Sequence, residues 1–293
     1  MFKKGGGLIK MSIVRSFTID WRITSKCNNR CAYCYASKKI RSVNIKGIDR
    51  IIDGISKTDC KAVCITGGEP LMHDNVYYII KRLYNLGIPI YLSTNGTNYL
   101  ENVDKIEPYI SRLSLSLDGY DSDSNIINGR RIDSFNTVKK ILDYYKVNNP
   151  NFDIKIGTVL TRKNMSYAHF EKMYEFLIQY PIKNWRIYEL VPEQSGLELF
   201  KNYGYKKKDF LEFKKNLSEI LYKKENRLFS CIHFSSRNER NGAYCMIRAD
   251  GKVFVPLDKG DSVDEYLLGN ALTDSLQSII ELWWFQRENI FNK

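Results

Sequence analysis

The feature that most limits what this chain can become is a rhythm. Short apolar runs of strand length alternate with longer stretches of helical period, six times over. The strand-like runs are Phe17–Trp21, Lys61–Thr66, Ile88–Ser93, Arg112–Leu117, Ile154–Leu160 and Trp185–Leu190. The helical periods between them are Asn44–Lys57, Asn75–Leu86, Thr97–Ile106, Ser134–Val147 and Tyr167–Tyr180. Asp74 and Ser134 are the expected N-caps, and Tyr77, Ile80, Leu83 and Tyr84 share one face of the second helix. Such repetition builds a parallel sheet covered by helices. Six units are too few to close an eight-stranded barrel. The expected fold is therefore α/β, a partial (β/α)6 TIM-like barrel with a small C-terminal α+β extension, and its chemistry belongs at the C-terminal ends of the strands.

The expected organisation is a flexible leader over 1–16, starting at Met1 or Met11, the partial barrel over 17–192, and an extension over 193–293 packed on the barrel. In the extension Lys206–Lys224 reads as a basic, solvated helix, Ala243–Pro256 as a hairpin turning at Asp250-Gly251, and Ser275–Phe285 as an apolar helix. A chain with 43% hydrophobic and 27% charged residues is neither disordered nor collagen-like. No apolar run approaches the roughly 18 residues of a membrane span, so no membrane association is expected and the cytoplasm is the expected location. The net charge, 45 − 33 = +12, suits an anionic partner. Nucleic acid and phosphorylated small molecules both fit, and so does a mere codon bias toward lysine; the cations form no long block that would favour a stable nucleic-acid complex.

Chemistry concentrates after the first strand, in Cys27-Asn-Asn-Arg-Cys31-Ala-Tyr-Cys34. Thiolates in a tight loop suit zinc or an iron–sulfur cluster. A structural zinc would want a fourth Cys or His nearby, and the nearest histidine, His73, lies a whole strand away. Three thiolates on a four-iron cluster leave one iron open for chemistry. Cys64 reads as core, Cys60 as a connection residue, and Cys231 and Cys245 are two distant cysteines that cannot build a four-ligand site, so no auxiliary cluster is expected.

Over roughly residues 17–190 the chain resembles the radical SAM family. The resemblance implies a [4Fe-4S] cluster on Cys27, Cys31 and Cys34. It also implies S-adenosylmethionine on the open iron, cleaved reductively to a 5′-deoxyadenosyl radical. Further motifs fall at strand ends. Gly67-Gly68-Glu69-Pro70 would hold the methionine amino group, its glycines allowing close backbone approach. Ser93 and Asn95, in Ser93-Thr94-Asn95-Gly96, suit the ribose and carboxylate, and Ser116 and Asp118 follow the fourth strand. The family places an aromatic beside the adenine, where Tyr33 stands, and Arg130 could pair with the methionine carboxylate through both nitrogens.

Asp118–Arg130 and Asp153–Gly196 resemble viperin and its prokaryotic relatives, and the segment around Tyr244 does so less closely. That resemblance implies abstraction of the ribose C4′ hydrogen of a nucleoside triphosphate, giving a 3′-deoxy-3′,4′-didehydro nucleotide in antiviral defence. Lys155 and Arg186 would grip the triphosphate, Tyr244 would donate a hydrogen or proton near the sugar, and a flavodoxin or ferredoxin would supply electrons. Independently, two cations inside a sheet-lined cavity are costly unless an anion pairs with them, though each could instead face solvent. Gly157 departs from the viperin pattern, which has asparagine there. Two alternatives stay open: a peptide-modifying radical SAM enzyme, and an iron–sulfur sensor that binds nucleic acid. The strand-end motifs would have no role in a sensor.

Overall fold

The computed structural model describes residues 16–34, 40–191, 201–223, 232–260 and 263–291. The expected leader apart from Ser16, residues 193–200 of the expected extension, and Cys231 lie outside the described residues. The six expected strands are present as β1 (Thr18–Thr24), β2 (Ala62–Gly67), β3 (Ile90–Thr94), β4 (Arg112–Ser116), β5 (Asp153–Leu160) and β6 (Ile182–Glu189), each parallel to the next. Between them run α1 (Ile45–Ile55), α2 (Val76–Asn85), α3 (Val103–Ile106), α4 (Ser122–Ile127), α5 (Ser134–Asn148) and α6 (Tyr167–Leu177). The tail adds α7 (Lys207–Tyr222), β7 (Ile232–Ser235), α8 (Arg237–Arg240), β8 (Cys245–Ile247), β9 (Lys252–Asp258), β10 (Val263–Asn270) and α9 (Leu276–Gln286).

All ten strands form one sheet in the order β10-β9-β8-β1-β2-β3-β4-β5-β6-β7. The sheet is not closed, because β10 and β7 lie at opposite ends of that order. The tail strands do not lie on the barrel as a separate layer. β8 pairs in parallel with β1, β7 with β6, and β9 and β10 continue antiparallel. The hairpin expected over 243–256 is β8–β9, turning at Gly251 with φ +87°.

Strand alternation decides the two faces. On β1, Ile19, Trp21 and Ile23 are buried in the core, while Thr18, Asp20 and Arg22 point the other way. Ile65, Leu92, Leu113, Ile154, Ile156 and Trp185 continue the apolar face under the helices. α1 shows why the helices dock there: Ile48, Ile51, Ile52 and Ile55 form one buried stripe, and the Asn44 side chain accepts from Gly47 N to start the helix. The opposite face is polar and curls inward. Asp20 on β1 is in electrostatic contact with Lys155 on β5 and Arg186 on β6. On a flat sheet β1 and β5 would stand about 19 Å apart, four inter-strand spacings.

Several local expectations are corrected. α2 buries Val76, Ile79, Ile80 and Leu83, whereas Tyr84 is 50% exposed and Tyr77 half-buried. The Tyr84 ring instead packs edge-on against Tyr109 at 5.1 Å, at the rim where a phenol keeps its hydroxyl wet. The helix expected over 97–106 is a 3-10 turn at Leu100–Asn102 followed by the single turn of α3, because Gly96 (φ +88°) and Asn98 (φ 63°) are left-handed and delay its start. Asn75 and Asp133, rather than Asp74 and Ser134, occupy the N-cap positions. α7 is basic but not merely solvated: it buries Phe210, Phe213, Leu217 and Leu221.

Candidate functional site

Cys27, Cys31 and Cys34 sit in the loop leaving β1, all three free and half-buried. The loop is shaped by its own bonds: Asn29 N donates to Cys27 Sγ at 3.3 Å and Cys34 N to Cys31 O at 3.1 Å. It is fastened to the end of β2, where Gly68 N donates to Thr24 O and Glu69 N to Lys26 O, both at 2.8 Å. This fastening explains the paired glycines. A Cβ on Gly67 would lie 2.2 Å from Thr24 O, and one on Gly68 2.3 Å from Lys26 O. The backbone they approach closely is the cysteine loop itself.

Burial pushes the Cys27 and Cys31 thiols up, and both lie in electrostatic contact with Cys34. Among the described residues no three Cys, His, Asp or Glu side chains converge on a single ion. Three soft thiol donors in one loop are the set a four-iron cluster takes, one to each of three irons, whereas a structural zinc would want a fourth Cys or His. The donor set therefore suits the cluster.

Glu69 is fully buried. Its Oε1 accepts from Leu71 N at 3.0 Å and Thr94 Oγ1 at 2.7 Å, and its Oε2 from Asn95 N at 2.7 Å. The carboxyl thus ties the end of β2 to the end of β3, and burial pushes it up to about 7 against three bonds that favour ionisation. Pro70 opens a single 3-10 turn behind it. Asn95 Nδ2 reaches Asn28 Oδ1 in the cysteine loop at 2.8 Å. Ser93 and Ser116 are half-buried on the polar face of β3 and β4.

Asp118, also fully buried, follows β4. Its carboxylate accepts from Tyr33 Oη, from Arg130 Nε and, at 2.7 Å, from Val159 N. Its backbone is held as firmly: Asp118 N donates to Asn125 Oδ1, and Asp118 O accepts from Asn128 Nδ2 and His169 Nε2. Behind them Asn164 Nδ2 lies 3.5 Å from Asp118 O, and Thr161 Oγ1 donates to Asn128 Oδ1 at 2.9 Å. Asn125, Asn128, Asn164, Thr161 and His169 were not legible as site residues, because each is an ordinary polar residue until the fold gathers them. The Arg130 side chain is only 9% exposed, and Nη1 lies 3.6 Å from Cys31 Sγ. It is no surface arginine.

Lys155 and Arg186 both lie on the polar, concave face, Lys155 in register with Ser114 and Arg186 with Gly157. Lys155 Nζ and the Arg186 and Arg240 guanidinium carbons stand 5.5, 6.0 and 5.7 Å from the Tyr188 ring. Tyr244 joins them, in electrostatic contact with Tyr188, Arg186, Asp20 and Arg240, its phenol pushed up by burial. Arg186 Nε is buried without a hydrogen-bond partner, and neither Lys155 nor Arg186 makes an ion pair among the described residues. A Cβ at 157 would lie 3.2 Å from Tyr188 Cε2, so an asparagine there would require the Tyr188 ring to give way by a few tenths of an ångström.

Asp20, Arg22, Tyr188 and Arg240 were missed from the sequence. For the first three the signal was present, as polar residues at every second position of otherwise apolar strands. Cys64 is corrected: it is half-buried on this polar face and hydrogen-bonded to Asp20, not packed in the core. Cys60 is half-buried between α1 and β2, as a connection residue should be.

Comparison with known proteins agrees with this geometry. The radical SAM superfamily profile matches residues 21–177, which span the cysteine loop, all the strand-end motifs and Arg130. An S-adenosylmethionine-dependent nucleotide dehydratase of Fibrobacter sp. (strain UWH6) is 26% identical over 96% of this chain and 88% of its own length. A protein of the same name from Lacinutrix mariniflava is 21% identical over 81% of this chain, which spans 50% of that relative. Among solved structures, Streptococcus suis SuiB bound to S-adenosylmethionine superposes with a TM-score of 0.67 at 17% identity, over 94% of this chain and 67% of that one. It shares the fold. This chain belongs to the radical SAM superfamily and is an enzyme whose cofactors are a [4Fe-4S] cluster and S-adenosylmethionine.

Proposed function

We propose that this enzyme dehydrates a nucleoside triphosphate. It would remove the ribose C4′ hydrogen atom and then release the 3′ hydroxyl as water, with one proton and one electron joining that hydroxyl, to leave a 3′-deoxy-3′,4′-didehydro nucleotide. When bound, the cluster and S-adenosylmethionine supply the 5′-deoxyadenosyl radical that accepts the hydrogen atom. The observation that carries the reading is the pair of cations on the concave face, Lys155 and Arg186, the latter with a buried Nε atom that has no hydrogen-bond partner among the described residues. Both side chains are half-buried and face a single carboxylate, Asp20; two partly desolvated cations call for more negative charge than that, and a triphosphate would supply it with acceptors to spare. The nucleotide dehydratase relatives support the choice of anion.

In this reading Lys155 and Arg186 hold the phosphates, with Arg240 a third cation around Tyr188. Tyr244 delivers the proton to the departing hydroxyl; its burial keeps the phenol protonated until then. Cys27, Cys31 and Cys34 bind the cluster. Backbone groups of Gly67–Pro70 receive the methionine amino group, since the Glu69 carboxylate is already committed to three donors of its own chain. Ser93, Asn95 and Ser116 meet the ribose and carboxylate. Tyr33, held by Asp118, lines the adenine side, and Arg130 stands at the methionine carboxylate. A flavodoxin or ferredoxin supplies the electrons, and the reducing cytoplasm suits the free thiols. Among the described residues no helix is long and apolar enough to cross a membrane.

The test is anaerobic turnover of each common nucleoside triphosphate with S-adenosylmethionine and reductant, read by mass spectrometry. Loss of one water with matching 5′-deoxyadenosine is expected. If all four triphosphates return unaltered, the assignment fails.

A further inference from the structure

Arg130 is bonded on one side to Asp118 and on the other to a cluster cysteine. Its Nε donates to Asp118 Oδ2 and its Nη1 lies 3.6 Å from Cys31 Sγ, across 99 residues of chain. Both partners of the ion pair are nearly closed off from solvent, Arg130 at 9% and Asp118 at 0% side-chain exposure. The backbone fixes the same contact, since Ala32 N donates to Gly129 O at 3.2 Å and Gly129 is left-handed at φ +85°. The face of Arg130 is covered by the Tyr33 ring, 5.4 Å from the guanidinium carbon.

We infer that Arg130 is a positioning residue for the iron–sulfur cluster, a buried cation held by Asp118 and donating to the Cys31 thiolate, which sets the potential at which the cluster takes up its electron. Reduction adds one negative charge to the cluster and its thiolates. A hydrogen-bonded cation at one thiolate stabilises that more negative state and raises the potential. Asp118 opposes the effect: it neutralises part of the guanidinium charge, and among the described residues its carboxylate bonds Tyr33, Arg130 and Val159 and no cysteine. The two members of the ion pair therefore act on the cluster with opposite sign. This inference rests on the superfamily assignment and not on the choice of nucleotide.

The experiment is a redox titration of the anaerobically reconstituted full chain, without nucleotide, using dithionite and low-potential dyes and following the reduced cluster by electron paramagnetic resonance. Arg130→Gln is expected to weaken one-electron reduction by roughly tenfold, a shift of about 59 mV to more negative potential. Asp118→Asn is expected to move it to more positive potential. A side chain that merely supports the loop would move neither, or move both the same way, and either result overturns the inference. So does a glutamine variant that loses S-adenosylmethionine binding with its potential unmoved, the result for a pure carboxylate clamp. Should Arg130→Gln fail to hold iron, Asp118→Asn decides alone, and an unmoved or more negative potential overturns the inference. Failure here leaves the nucleotide reading standing, because no nucleotide enters the measurement.

Discussion

The side chains that matter most here are those whose neighbours leave them no ordinary role. Cys31→Ala removes one of three thiols from a loop that has no spare donor, and it should abolish both the iron chromophore and 5′-deoxyadenosine formation; iron analysis after reconstitution checks this. In the proposed reading Lys155→Ala would delete one charge-assisted phosphate contact, worth about 1.5–3 kcal/mol, so the nucleotide KM should rise by roughly ten- to a hundredfold in steady-state kinetics. Glu69 gives a pH prediction. Burial raises its folded pKa to about 7, above the usual glutamate range, so the native state holds the proton more tightly than the unfolded chain. Its contribution to stability is then complete at acidic pH and is lost as pH rises toward and through about 7. Denaturant midpoints on either side of that window should fall with rising pH in the wild type. They should lose that component of the slope in Glu69→Gln, which is also less stable throughout because its amide faces donors. An unchanged slope would contradict the assignment.

At the scale of elements, the contact between β1 and β2 matters more than either strand. Gly67 and Gly68 let the β2 end lie against Thr24–Lys26 with no room for a Cβ. Gly68→Ala must therefore part Glu69 N from Lys26 O. The expected cost is about 1–3 kcal/mol, read from the denaturant midpoint, with weakened iron retention alongside. Element identity was largely legible, because the alternation in β1 and the isoleucine stripe of α1 carry their own periods. The rim was not. Tyr84 fits the helical period of α2 as well as Ile79 does, and only the neighbouring Tyr109 shows that it stays outside. The delayed start of α3 was hidden for a similar reason: the left-handed Asn98 is a backbone state, and no periodicity reports it.

The whole molecule is built on an open, curled sheet whose apolar face is buried under the helices and whose other face is charged. Its concave face gathers Lys155, Arg186 and Asp20 from three strands, and Arg240 from α8, all far apart in sequence. A triphosphate seated among these cations should stabilise the native state by mass action, by about 2.7 kcal/mol at a hundredfold excess over Kd. Thermal melts should shift upward with the preferred triphosphate and not with its nucleoside. Equal shifts for both would remove the phosphates from the concave face.

What the sequence determined by itself was everything carried by local pattern. The parallel α/β class follows from two alternating periods, and the cluster from three thiols in one loop together with the family resemblance that their spacing carries. Tertiary structure alone decided which polar residues meet. Strand alternation says that Lys155, Arg186 and Asp20 share a face, but only the curvature of the sheet brings them within reach of one another. In the same way, only the crossing of the 118–130 loop over the cysteine loop places a guanidinium on Cys31. Periodicity is a property of neighbours along the chain, whereas electrostatic contact depends on distance through space, and the two are connected only by the way the backbone bends.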